Sequence, residues 1–204
     1  MIRAAERLFV AQGFHATSLD QVAGAAGYTT GAVYSSFGSK DDLFFAVYER
    51  RAERGISEME REIAAARGTG EAFDALALAA AQRRSTDDGW LAVFFEFWAH
   101  VVRKSKLRTR FVEIHARALD PLVGALERHA RDNDFDLPDD ARKLTVALYA
   151  MQLGLSLERL TQPELVDERL GVRMGRLFFD DLERGARGEK GATDEPDLPA
   201  QASG

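Results

Sequence analysis

Apolar residues recur every three or four positions along most of the chain, and no run alternates apolar with polar positions. That period belongs to amphipathic helices, not half-buried strands. The spacing predicts a first helix over 2–12, with Ile2, Ala5, Leu8 and Phe9 inward and Gly13 as its cap. A second helix opens at Thr17 or Ser18, where either hydroxyl can cap free N–H groups. Gln21, three residues after Ser18, completes a capping-box pattern. Leu19, Val22, Ala23 and Ala26 form its stripe, and Gly27 ends it. Thr29 caps a short third helix carrying Val33. Ser39 caps a long fourth over 39–67, with Asp41 and Asp42 at the positive end of its dipole. Gly68-Thr69-Gly70 breaks the pattern, and further helices are expected over 71–84, 90–105, 108–131, 139–161 and 166–184. The fold class is all-α, with about nine helices in total.

Composition narrows the function. The 204 residues include no Cys, which excludes a disulfide framework, a thiolate metal site and a cysteine nucleophile. No apolar run reaches the ~18 residues of a membrane span, and no secretory leader pattern opens the chain, so a cytoplasmic protein without a membrane partner is expected. The net charge of -6 argues against bulk attraction to nucleic acid. Residues 185–204 contain four Gly and two Pro with one large apolar residue, Leu198, and read as a disordered tail.

The second and third helices carry the first chemical signal. Two short helices joined by a Gly-containing turn suit a helix-turn-helix, whose second helix enters the DNA major groove N-terminus first. There stand Thr29, Thr30, Gly31 and Ala32, small enough for a close backbone approach. Tyr34 can donate to phosphate, and Lys40 adds a cation. An ordinary helical corner is the competing reading.

The run from Ala4 to Phe9, then Gly13-Phe14, then Thr17 to Ala23, and above all the block from Ala25 to Leu43, resembles the TetR family of regulators. The resemblance covers residues 1–50. It implies a dimeric regulator with an N-terminal three-helix DNA-binding domain over 1–47 and a helical-bundle effector-binding and dimerisation domain over 48–184. It places base contacts at Thr30 and Gly31 and phosphate contacts at Tyr34 and Lys40. Thr17, Ser18, Thr29, Ser35 and Ser36 complete the implied DNA face. Ser35 and Ser36 stand where many members carry aromatic or His contacts. Asp20 places a carboxylate in the first turn of helix two. The chain opens inside helix one, and basic residues are expected upstream of Met1.

The second half contains an aromatic stripe around Trp90, Phe94, Phe97, Trp98 and Val101, apolar on two faces. One reading is a packed core; the other is an apolar effector pocket. The pocket reading gathers Met59, Ile63, Phe73, Phe94, Phe97, Trp98, Val101, Phe111, His115 and Met151, with a small hydrophobic or aromatic effector as partner. Pro121 is expected to kink its helix. Glu96 and His100 share a helix face at a spacing of four, and His115 or Glu113 would complete a metal set. No second ligand pair is visible, and no metal or other cofactor is expected. No nucleophile motif or P-loop appears, which argues against an enzyme.

Arg103, Lys104, Lys106, Arg108 and Arg110 form a basic run that reads as a solvated loop, or as a partner for Asp41, Asp42 or Asp20. Leu144, Leu148, Met151 and Leu155 form one stripe of the helix over 139–161, and Val146, Tyr149, Leu153, Leu157 and Leu160 a second. A surface helix of a monomer needs only one stripe. Leu144, Leu148 and Leu155, with Leu170, Met174, Leu177 and Phe178 of the last helix, are the expected homodimer surface. The function these readings converge on is an effector-released repressor of a palindromic operator. The alternative is a ligand-binding bundle with a weakened DNA-binding domain.

Overall fold

The computed structural model describes residues 1–65 and 88–186. Eight helices and no strand occur among the described residues: α1 (Ile2–Gln12), α2 (Leu19–Ala26), α3 (Thr30–Phe37), α4 (Lys40–Ala65), α5 (Asp88–Val102), α6 (Ser105–Asp132), α7 (Ala141–Thr161) and α8 (Glu168–Ala186). The expected helix over 71–84 and residues 187–204 of the expected tail lie outside the described residues, while Gly185 and Ala186 end α8.

Local chemistry sets the ends of the first helices. Ser18 accepts from the Gln21 N–H while the Gln21 side chain accepts from the Ser18 N–H, a reciprocal capping box. Gly27 ends α2 at φ 71°, ψ 30°, a left-handed conformation in which a Cβ is disfavoured. Thr29 Oγ1 accepts from the Ala32 N–H to open α3, and Ser39 Oγ accepts from the Asp42 N–H to open α4. Further on, Asp140 accepts from Arg142 and Lys143 to cap α7. Helix α6 runs through Pro121 without a break.

One aromatic core runs through both halves of the chain. Phe9, Phe14, Phe44, Phe45 and Phe97 are completely buried, or within 1% of it, and belong to one cluster with Val33, Phe94, Phe111 and Ile114. The Phe97 ring stacks on Phe44 at 4.1 Å and meets Phe14 and Phe45 edge-on at 5.1 and 5.0 Å. Phe97 and Val101, expected in a pocket, are therefore core residues at the junction with α1 and α4, because their face of α5 turns toward the N-terminal helices. A smaller cluster of Ala125, Leu126, Ala141 and Leu182 joins α6, α7 and α8, with Leu144, Phe178 and Phe179 packed against it.

Helix α7 departs from the two-stripe expectation. Its most buried positions are Ala141, Thr145 and Ser156, and both hydroxyls donate to the carbonyl four residues earlier. Gln152 on the same face donates to the Gly171 carbonyl of α8 at 2.8 Å. A Cβ at Gly171 would meet Gln152 Oε1 at 2.9 Å, so the glycine permits this contact. Leu153 and Tyr149 turn inward, Leu153 against the main core and Tyr149 against His115. Val146 and Leu157 stay exposed, as does Leu177 of α8.

Candidate nucleic-acid interface

Helices α2 and α3 meet across Gly27, whose conformation lets the Tyr28 N–H reach the Ala23 carbonyl at 3.0 Å. Val33 is fully buried and fixes the inner face of α3. The outer face presents Gly31, Tyr34, Ser35 and Ser36, with Thr30 half-buried and Thr29 and Ser18 exposed at the two helix starts. A Cβ at Gly31 would meet no heavy atom within 4 Å. Packing does not require a glycine here, as it does not at Gly24, Gly55 or Gly154, and a helical glycine costs about 1 kcal/mol relative to Ala. The missing side chain leaves the backbone of the first α3 turn open to close approach. Ser36 Oγ donates to the Ala32 carbonyl, leaving its lone pairs outward.

Two of the expected contacts, Thr17 and Lys40, turn toward the protein. Thr17 is 1% exposed: its hydroxyl donates to the Gly13 carbonyl at 2.7 Å and accepts from Gln12 Nε2, so it braces the turn and faces no partner. Lys40 turns back onto the same turn, donating to the Phe14 and His15 carbonyls at 2.9 and 3.1 Å over the Phe14 ring. Burial pulls the Lys40 ammonium below its ordinary pKa, against the pull of Asp41 and Glu96. Sequence spacing could not show either orientation, because both depend on contacts with the 13–17 turn. Tyr28, which was not among the expected contacts, is 52% exposed just before Thr29, the α3 N-cap. Its signal was a large aromatic in a turn between two capping residues.

The 13–17 turn is held by both halves of the molecule. Glu96 of α5 accepts from the Phe14 N–H at 2.9 Å. Gly13 lies at φ 87°, and a Cβ there would stand 2.8 Å from Glu96 Oε1. His100 and Lys104 meet Asp41 at 3.0 and 3.6 Å, and Arg110 meets Asp42 at 2.8 Å. The basic run thus does offset the acidic start of α4. Partly exposed pairs of this kind add little to stability, but they tie α5 and α6 to the start of α4. On the opposite side Arg51 and Arg54 share Glu6 at 2.5 and 2.9 Å, and Arg51 lies 4.3 Å over Trp90. Burial pushes the Glu6 carboxyl up, but the two arginine hydrogen bonds outweigh it and hold it below the usual range. Glu96, His100 and His115 each have a different partner, and no group of three metal-ligating side chains converges among the described residues.

Phe94 and Phe111, also expected in the pocket, belong to the same buried cluster, and Trp98 packs on its edge. Phe94, Trp98 and Phe111 pack edge-on or tilted at 5.0–6.1 Å, and His115 stacks on Phe111. Tyr48 hydrogen-bonds His115 Nδ1 at 3.0 Å. Burial, then the nearby Tyr149, drives the Tyr48 phenol pKa up, so it stays protonated. Met59 and Met151 are half-buried. Phe73 and the side chain of Ile63 lie outside the described residues.

Two short helices across a left-handed glycine, with the second exposing its N-terminal face and a larger helical body behind it, define a helix-turn-helix regulator. Residues 1–47 match the family described as bacterial regulatory proteins, tetR family, and residues 69–184 match the BetI-type transcriptional repressor, C-terminal. The chain belongs to the TetR family of transcriptional regulators. It is 48% identical to the HTH-type transcriptional regulator AcrR of Shigella flexneri over 56 residues, which are 28% of this chain and 26% of AcrR. The chain thus spans only 26–29% of the length of the curated relatives it matches. A transcriptional regulator from Pseudomonas aeruginosa PAO1 superposes with a TM-score of 0.77 at 25% identity, over 93% of this chain and 91% of that one. The regulator FadR of Bacillus subtilis, solved with stearoyl-CoA, shares the fold with a TM-score of 0.69 at 19% identity, over 92% and 96%. Among the described residues no helix is long and apolar enough to cross a membrane.

Proposed function

We propose that the chain is a homodimeric repressor that binds a palindromic operator and is released by a small apolar or aromatic effector. The observation that carries the DNA half is the outer face of α3. Gly31 leaves the backbone open there, and the exposed Tyr34 and Ser35 and half-buried Thr30 flank it in sequence. Thr30 and Gly31 are positioned to read base edges, and Tyr34, Ser18 and Thr29 to contact phosphates. Residues 1–47 form the DNA-binding domain in this reading and 48–184 the effector and dimer domain. The effector half is supported by the Phe94–Trp98–Phe111–His115 cluster, and by the stearoyl-CoA held by a neighbour of the same fold.

Exposed Val146, Leu157 and Leu177 on the last two helices support a dimer, with half-buried Leu148, Leu155, Leu170 and Met174 beside them. Two copies of α7 and α8 meeting across a two-fold axis would cover these side chains. Coupling would run through α4 and the Glu96–Phe14 hydrogen bond. The effector must bind the DNA-incompetent state better, by about 1–3 kcal/mol for a useful switch.

A gel shift on the DNA upstream of the chain's own gene tests the reading. Sequence-specific retardation that an excess of unrelated DNA does not abolish is expected, and its absence overturns it. Exposed Asp20 at the start of α2 and the inward-turned Lys40 favour the second reading, a ligand-binding bundle with a weakened DNA face. That reading requires ligand binding without a gel shift.

A further inference from the structure

His115 lies where four helices meet. Tyr48 of α4 reaches its Nδ1 at 3.0 Å. Trp98 of α5 and Tyr149 of α7 meet its ring edge-on at 5.3 and 5.0 Å, and Phe111 of α6 stacks on it at 5.5 Å. A phenol is a stronger acid than the N–H of a neutral imidazole, which favours the tautomer with Tyr48 as donor and Nδ1 as acceptor. The one ring proton then sits on Nε2. Among the described residues no acceptor meets Nε2–H, and the ring remains half-buried. Burial lowers the pKa of the imidazole and keeps it neutral at pH 7; no charged side chain contributes to that shift.

We infer that His115 Nε2–H is the polar anchor of the effector site, and that it selects a neutral aromatic ligand carrying a single hydrogen-bond acceptor, such as a ketone or ester oxygen. The inference rests on the effector-responsive reading above. Among the described residues no charged side chain acts on His115, so a carboxylate beside it would lose its hydration without a cation in compensation. A quaternary ammonium suits the faces of Trp98 and Phe111, but it would confront the positive end of the N–H dipole. A plain hydrocarbon would leave that donor unpaired. One neutral hydrogen bond corresponds to roughly five- to tenfold in affinity.

The test uses the full chain, Trp fluorescence and thermal melting with four probes: 2-acetylnaphthalene, 2-ethylnaphthalene, 2-naphthoate and choline. In the wild type the ketone should quench fluorescence, raise the Tm and bind roughly five- to tenfold tighter than the ethyl compound. His115→Phe keeps a ring in place and should equalise the two. That change leaves the Tyr48 hydroxyl unpaired, so the Tyr48→Phe/His115→Phe double variant is measured beside it and should give the same equality at higher Tm. Equal wild-type binding of ketone and hydrocarbon overturns the inference. So does tighter binding of choline or naphthoate than of the ketone, no binding of any probe, or a ketone preference that survives His115→Phe. The wild-type comparison decides even if a variant fails to fold. A gel shift on the same preparation separates the two claims: specific DNA binding with a failed probe series removes the anchor and leaves the regulator standing.

Discussion

Glu96 and Phe14 are 82 positions apart in the chain, yet one carboxylate oxygen of Glu96 accepts the Phe14 backbone N–H at 2.9 Å. The bond joins α5 to the turn that leads into the helix-turn-helix. Gly13 stands directly before it at φ 87°, ψ 168°, a region essentially confined to glycine. Gly13→Ala should cost roughly 1–3 kcal/mol from backbone strain, and Glu96→Ala about 0.5–1.5 kcal/mol. The new methyl must also displace the Glu96 carboxylate, so the double variant should cost less than the sum of the singles. Urea titration of the four proteins checks this, and strict additivity would show that the two positions act separately.

Lys40 and Tyr34 should separate in their effects on DNA binding. Tyr34→Phe removes an outward hydroxyl and should weaken binding to all sequences alike, since phosphate contacts carry no base information. Lys40→Met keeps the apolar stem but leaves the Phe14 and His15 carbonyls without their donor. It should lower the Tm and leave the salt dependence of DNA affinity unaltered. A slope reduced by about one per subunit would instead place the ammonium on a phosphate.

Assembly is expected to depend on the exposed leucines. Leu157→Asp and Leu177→Asp each put a charged carboxylate in place of an apolar side chain in the proposed subunit contact. Light scattering at micromolar concentration should give monomers for both and a dimer for the wild type. Specific DNA binding should fall with them, because a monomer cannot span half-sites about 34–36 Å apart. A monomeric wild type ends this prediction.

Acid should weaken the fold through His115. Burial holds its folded pKa below the ordinary value of 6.5. Between the folded value and 6.5 the unfolded chain binds more protons than the folded one, so stability rises with pH there. The contribution is fully present above about pH 7 and is lost as pH falls through 6.5 toward the folded value. Melting the wild type and the Tyr48→Phe/His115→Phe variant between pH 7.5 and 5.5 should show a shallower decline for the variant. Parallel curves would assign the decline to other groups.

What the sequence disclosed was local. Ser18 with Gln21, Gly27 and Thr29 were readable because capping is chemistry between residues a few positions apart. The class of the fold followed from periodicity. The direction of Lys40, the burial of Thr17 and the Glu96 bond were not readable, since each depends on packing between elements far apart in the chain. Phe97 shows the limit of the hydrophobic pattern: it places the side chain inside, but cannot say inside which part of the molecule. On α7 the pattern misled, because buried Thr145 and Ser156 satisfy themselves on their own helix and read as polar.

The stacking of Phe97 on Phe44 has a consequence for anyone wishing to borrow the DNA-reading part alone. Cut after α4, that fragment would keep Phe14 and Phe44 but lose the Phe97 ring that packs against both. Such a fragment should be loosely packed and prone to self-association, whatever its caps. The intact protein should melt in one cooperative transition. Chimaeras with this reading head should succeed only when the donor body supplies its own equivalents of Phe97 and Glu96.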